Sequence, residues 1–309
     1  MSTLVVRRLK IDLDAPVARH WCGGDAFRTA FFNALSMSFP AGEQVFIDSV
    51  RRGVAALPEA ERARFQDEVQ AFVGQEATHR HIHARFNALI AAHGLVNHWE
   101  PRILRRRERV MARLDTRNWV AVTAATEHWT AVLAQHLLAQ QGLLEGAEPR
   151  LRELWQWHSA EELEHRSTAF DLYRALGGSH VWRVRIFKVV SWHFVTDVLR
   201  QTAHNLWRDG TWWRPSTWAS GWRVLFGRQG LVRCGYAPWK RYLADDFHPA
   251  EGDGAAGERW LAEHRELAPP VRAQAALVSG GRLGACAQRR LGVQARGAVT
   301  ASPRDGVIA

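Results

Sequence analysis

Apolar residues recur every three or four positions from the end of a short extended lead (Leu4 to Leu13) to about residue 208, and no stretch alternates apolar and polar residues as a half-buried strand does. The chain therefore reads as all-α. Ser38-Phe39-Pro40 reads as a helix start with proline near its first turn, and that helix extends to about Leu57. Pro58 opens a second helix that ends at His93, ahead of a terminating Gly94. A basic helical segment, Pro101 to Leu114, leads to Asp115 and Thr116, either of which caps a helix ending near Gly142. Further helices run from Pro149 to Gly177-Gly178 and from Val181 to Trp207. Beyond Gly210 the pattern becomes irregular and rich in Trp, Gly and Pro, which predicts short helices and loops held to the bundle by aromatic anchors.

Two of these stripes carry the wrong residues in the middle. Phe65, Val69, Phe72, Glu76, His79, His83, Phe86 and Ile90 share one helix face, as do Leu151, Trp155, His158, Glu162, His165, Ala169 and Leu172. The helix before each contributes one carboxylate to its own apolar face, Glu43 between Phe39 and Phe46 and Glu127 between Val120 and Ala131. Burying an unpaired carboxylate costs several kcal/mol, so a row of them calls for a compensating cation. Glu76-x-x-His79 and Glu162-x-x-His165 each set a carboxylate and an imidazole one turn apart, about 4.5 Å along the axis, within reach of one ion. Glu43 precedes Glu76 by 33 residues and Glu127 precedes Glu162 by 35, as a repeated helical hairpin requires. This order is the ligand arrangement of ferritin-like carboxylate-bridged di-metal bundles. The competing reading, a hydrogen-bonded core network without metal, would have to arise in four elements in that order.

Neighbouring polar residues sort differently. Glu161 and Glu164 lie off the stripe, which assigns them to solvent or to the surroundings of the ligands. His128 and His136 read as surface or hydrogen-bonded residues, and Tyr173 as a packing residue rather than a redox tyrosine. Asp48 and Asp171 are candidates to orient ligand histidines.

Composition narrows the classes. With 309 residues, 47% hydrophobic and 23% charged, the chain suits one large globular domain or two small ones. No uncharged apolar run reaches the roughly 18 to 20 residues of a membrane span. Charges occupy the N-terminus where a signal peptide is apolar, so the expected location is the cytoplasm. The net charge of +10 suggests nucleic acid or an anionic surface, but Arg272, Arg282, Arg289, Arg290, Arg296 and Arg304 sit in a Gly- and Ala-rich tail without aromatic residues, expected to be disordered. Nucleic-acid binding is therefore not expected. Cys22, Cys234 and Cys286 share no close spacing, so a metal must be held by His and carboxylates.

Residues 1 to about 265 resemble a bacterial family labelled predicted metal-dependent hydrolase. The resemblance rests on Phe39-Pro40-Ala41-Gly42-Glu43, Gln75-Glu76-Ala77-Thr78-His79-Arg80-His81-Ile82-His83, Thr126-Glu127-His128 and Trp157-His158-Ser159-Ala160-Glu161-Glu162-Leu163-Glu164-His165. The ligand order is also similar to that of di-iron arylamine N-oxygenases, whose fourth core helix resembles His158-x-x-x-Glu162-x-x-His165. The resemblance implies Glu43, Glu76, His79, Glu127, His158, Glu162 and His165 as ligands. His83 has no counterpart in that pattern and stands as an additional ligand or a supporting residue. The implied organisation is an extended lead (1–25), a ferritin-like four-helix bundle with a fifth long helix (26–208), a Trp-rich extension (209–267) and the tail (268–309).

Four Glu carboxylates neutralise two divalent ions, and mixed carboxylate and imidazole donors suit iron, with manganese or zinc also accommodated. On the bundle analogy the preferred function is O2 activation for oxidation of a small organic substrate. The alternative is hydrolysis of an ester, amide or phosphoester by metal-activated water. A third class is a non-enzymatic metal-binding bundle protein, including one that touches a membrane surface through residues 181–207, although packing on the bundle is the commoner fate of such a helix.

Overall fold

The computed structural model describes residues 4–109 and 111–271, and the Arg-rich tail lies outside the described residues from Arg272 onward. Among the described residues the structure is helical, with single β-bridges and no strand. The helices are α1 (Ala26–Ala56), α2 (Glu59–Ala92), α3 (Trp99–Arg109), α4 (Thr116–Ala139), α5 (Pro149–His165), α6 (Thr168–Ala175), α7 (His180–Arg208), α8 (Pro215–Phe226), α9 (Leu231–Tyr242) and α10 (Ala255–Glu263). Hairpins α1–α2 and α4–α5 form the bundle, with α1 also against α4 and α2 against α5. The long α7 packs across α1 and α4, α3 lies on α1, and α8 to α10 cover the outside.

The helix expected to start at Ser38 begins instead at Ala26, capped by Asp25, whose side chain accepts from Arg28 N–H. Pro40 lies in its interior, where a proline normally breaks the helix by removing the hydrogen bond to the carbonyl four residues back. Here the freed Ser36 carbonyl accepts from Asn87 Nδ2 of α2 at 3.0 Å, and the next carbonyl, of Met37, accepts from Asn97 Nδ2 at 2.7 Å. Tertiary donors replace what proline removes. The helix expected from Pro149 to Gly177 is broken at Arg166–Ser167 into α5 and α6, and its apolar stripe continues across the break.

Both polar stripes are buried as their spacing implies. Along α2, Phe65, Val69 and Phe72 belong to one apolar cluster with Phe46, Val120 and Leu172. Ile82, Phe86 and Ile90 belong to a second, with Phe32, Leu35 and Trp155. The Glu and His layer falls between them. The lead runs beside the last described residues: Arg8 N–H donates to Pro269 O at 3.1 Å, Lys10 N–H to Leu267 O at 2.8 Å and Val271 N–H to Val6 O at 2.8 Å. Packed chain thus continues four residues past the boundary drawn at Leu267, with Ala268 buried. Helix α7 buries Arg183, Phe187, Ser191 and Asp197 but leaves Val189, Trp192, Leu199 and Trp207 exposed. Among the described residues no helix is long and apolar enough to cross a membrane.

Two glycines of α1 report on this packing with opposite signs. A Cβ at Gly53 would lie 2.6 Å from Leu172 Cδ2 and 2.9 Å from Val120 Cγ2, whereas one at Gly42 meets nothing within 4 Å. Replacing an unhindered helical glycine by alanine gains up to about 1 kcal/mol, so Gly42→Ala should stabilise by that order. Gly53→Ala should destabilise by about 1–3 kcal/mol through overpacking. Denaturant midpoints of the two variants test this, and a stabilising Gly53→Ala would refute the close approach of α1 to α4 and α6.

Candidate metal centre

Helix α1 supplies Glu43, α2 supplies Glu76 and His79, α4 supplies Glu127, and α5 supplies His158, Glu162 and His165. The fold brings all seven into one buried layer. Donor atoms within 4.8 Å of one another group as Glu43, His79 and His158, as Glu76, Glu127 and His165, and as Glu76, His79 and Glu162. Glu162 spans the layer: Oε1 lies 3.0 Å from His158 Nε2 and 3.5 Å from His79 Nδ1, and Oε2 lies 3.5 Å from His165 Nε2. On the far side His165 Nε2 is 3.2 Å from both Glu76 Oε1 and Glu127 Oε2. The donors thus form two adjacent sets, with Glu76 and Glu162 between them.

Each imidazole is held from behind by a partner that sets its tautomer. Gln75 Nε2 donates to Val5 O at 3.0 Å and Glu164 Oε2 at 2.8 Å, so its Oε1 faces His165 Nδ1 at 3.0 Å and accepts that N–H. His79 Nε2 lies 3.0 Å from Glu161 Oε2, which can only accept from it when ionised. Behind His158 the chain is longer: Ser36 Oγ donates to Asn87 Oδ1 at 2.7 Å, so it accepts from His83 Nδ1 at 2.9 Å. His83 Nε2 then accepts from His158 Nδ1 at 2.7 Å. In all three rings the remaining nitrogen faces inward, where a neutral ring presents its lone pair.

Apart from His158 Nε2 and Glu162 Oε1, which face each other at 3.0 Å, the inward atoms find no hydrogen-bond partner. Both oxygens of Glu43, Glu76 and Glu127, with Glu162 Oε2, His79 Nδ1 and His165 Nε2, are buried and unsatisfied. Buried polar groups in native proteins are nearly always paired, so convergent unsatisfied acceptors mark the place of a cation. The donor set of carboxylate oxygens and imidazole nitrogens fits divalent iron, manganese or zinc.

Burial, reinforced by the surrounding carboxylates, pushes Glu43 and Glu76 well above the ordinary carboxylate range. Burial also lifts Glu127 to about 7. Glu162 is driven down, because burial is outweighed by the neighbouring His165 charge and the hydrogen bond from His158. His79 and His165 are raised by Glu161 and Glu162, and by Glu127 and Glu162, respectively, against the opposing effect of burial. Burial and the nearby His79 charge hold His158 down to about 4.

Several neighbours depart from expectation. Asp48 pairs with Arg107 and Asp171 with His248, so neither orients a cluster histidine. Those positions are too far round their helices from the inner stripe. Gln75, Glu161 and His83 have that role instead. Gln75 and Glu161 each precede the Glu of an Glu-x-x-His pair and each holds the histidine of the other pair, a cross-over that only the facing of α2 and α5 produces. Arg7, from the lead, joins the two braces: Nη1 contacts Glu161 Oε1 at 3.2 Å and Glu164 Oε2 at 2.7 Å. No sequence signal marked it. His128 accepts no place in the cluster and lies 3.2 Å from Pro238 O, while Tyr173 donates to Ser179 O at 2.9 Å as a packing residue.

Two apolar cavities meet the layer. One of about 260 Å³ between α1, α3, α4 and α7 has Glu43 in its wall. A smaller one of about 40 Å³ reaches His158 and Glu162, and the two share Phe39, Thr130 and Phe194.

The raised acids carry a pH signature in metal-stripped protein. A carboxyl at about 7 when folded, as at Glu127, and near 4.3 when unfolded favours the folded state in acid and loses that contribution as pH rises through about 7. Raised His79 and His165 act with the same sign, and the depressed His83 and His158 oppose it only below about 6.5. Chelator-treated protein should therefore lose stability to denaturant from pH 6.5 to 8.5, by on the order of 1–3 kcal/mol. A flat or rising profile would contradict the clustering.

No curated protein and no solved structure matches the chain significantly. Residues 5–253, which contain the whole cluster and the lead residue that braces it, match the model of one protein family, and the chain belongs to it: the predicted metal-dependent hydrolases.

Proposed function

We propose that this protein is a hydrolase that holds two divalent ions between Glu43, Glu76, His79, Glu127, His158, Glu162 and His165 and cleaves an ester or amide bond in a small organic substrate. The observation that carries the reading is the set of three imidazoles, each fixed from behind with its remaining nitrogen inward, facing buried carboxylates most of whose oxygens have no hydrogen-bond partner. Family membership points to hydrolysis rather than to the oxygen chemistry suggested by the ligand order. Two ions bound there lower the pKa of a water and polarise the substrate carbonyl. Glu43, the cluster residue in the wall of the larger cavity, has two unpartnered oxygens, so that with the ions bound one would serve as a ligand and the other would take the proton of the attacking water. Phe39, Phe46 and Phe194 exclude bulk water from that side. Glu161, Gln75 and His83 keep the imidazoles aimed.

O2 activation is the second reading. It is favoured by the ferritin-like order of the ligands and by the small apolar cavity against His158 and Glu162, large enough for a diatomic.

Glu76→Ala and Glu162→Ala should each abolish stoichiometric metal binding while the protein stays helical, by metal analysis and circular dichroism. Glu161→Gln should keep the stoichiometry but bind about 10–100-fold more weakly, as loss of an orienting partner does. Full occupancy in both ligand variants would remove the centre.

The chemistry is separated by the metal. Zinc- or manganese-loaded protein should cleave 4-nitrophenyl esters under nitrogen, with Glu43→Gln lowering kcat at least about 100-fold. If the zinc form is inert while ferrous protein consumes O2 with a reducing substrate, the second reading replaces the first.

A further inference from the structure

The larger cavity has almost nothing to offer a polar ligand. Its hydroxyls are spent within their own helices: Ser38 donates to Leu35 O at 2.7 Å, Thr126 to Val122 O at 2.9 Å and Thr130 to Glu127 O at 2.9 Å. Arg106 is paired with Asp197 at 2.5 Å, and Asp197 also with Arg102 at 2.8 Å. Burial lowers the pKa of His193, which disfavours a charge in the wall although the ring keeps its hydrogen-bonding nitrogens. The remaining wall is hydrocarbon and aromatic, including Phe39, Phe46, Ile103, Ile186, Val190 and Phe194. Glu43 is the one polar side chain of the wall with both oxygens unpartnered. The cavity reaches the surface at Val189, which lines it and is 54% exposed.

Gly42 adds an independent observation. It sits inside α1, where glycine costs about 1 kcal/mol relative to alanine, and neither a turn nor a close helix approach accounts for it. A side chain there would meet nothing within 4 Å and would enter the cavity, whose wall includes Gly42. The glycine keeps the chamber open beside Glu43.

We infer that this cavity binds the hydrocarbon portion of the substrate, an acyl or alkyl chain without hydrogen-bonding groups, with the reacting group held at Glu43. An apolar cavity of about 150 Å³ accommodates benzene, so scaling to this volume gives a chain on the order of ten carbons. The reacting end of the inference rests on the proposed metal centre; the binding of the chain does not.

Binding is therefore read first without metal. Displacement of the neutral fluorophore N-phenyl-1-naphthylamine by linear alcohols from butanol to tetradecanol should strengthen about fourfold per methylene and level off near ten carbons. Gly42→Leu should weaken decanol binding at least tenfold while keeping metal stoichiometry and helicity, whereas Trp192→Ala, on the exposed face of α7, should leave it within twofold. A rise that continues to tetradecanol, no rise with chain length, or equal binding by soluble, metal-competent Gly42→Leu overturns the inference. With zinc-loaded protein, the decanoate ester of 4-nitrophenol should exceed the acetate in kcat/KM by at least 100-fold. Hydrolysis without chain preference sinks this inference and leaves the hydrolase reading standing. Chain-length-dependent binding without any hydrolysis sinks the hydrolase reading and leaves this one.

Discussion

Four carboxylates that share one water-free layer with three imidazoles set the terms for the rest of this molecule. Removing an ionised carboxylate from water costs several kcal/mol even after relaxation, and like charges close together add to it. The fold meets that demand with a layer closed above and below by apolar clusters and with histidines pinned to face inward. What remains is a cluster of largely unsatisfied carboxylate and imidazole groups whose acids, once ionised, call for divalent cations.

The braces behind the histidines differ in chemistry. His79 and His165 are tied to Glu161 and to Gln75 with Glu164, and Arg7 joins these two arms across 154 residues of sequence. The lead that carries Arg7 is itself paired with residues 267–271, so the far end of the described chain holds that lead in place. His158 is braced by an uncharged relay, His83 to Ser36 to Asn87, and Asn87 is oriented in turn by the carbonyl that Pro40 frees. A proline that ought to break α1 therefore contributes to the tautomer of a histidine on α5.

Front and rear of the layer are accordingly unlike. The rear is polar, charged and filled, whereas the front opens through Glu43 into an apolar chamber beneath α7. This asymmetry separates the groups that hold the donors from the open space in front of them. It also explains why α7 is apolar on both sides near Val189: one side packs on the bundle and the other borders the entrance.

The helical class, the hairpins and the burial of the seven Glu and His residues were readable from local periodicity, because a polar residue in a buried helical stripe conflicts with its surroundings in a way that spacing alone exposes. Asp115, Gly94 and Pro58 likewise mark helix ends through purely local backbone chemistry. The extent of α1 was not readable, since whether Pro40 ends a helix depends on donors from α2 and the loop after it. Nor was the break at Arg166, or the exchange by which Gln75 and Glu161 serve each other's histidines. Asp48 and Asp171 had suitable chemistry but the wrong rotation about their axes, and Arg7 lay in a segment without periodicity. Such roles depend on which faces meet after distant helices dock, and hydrogen bonds across 70 or more residues leave no mark on the pattern of either partner alone.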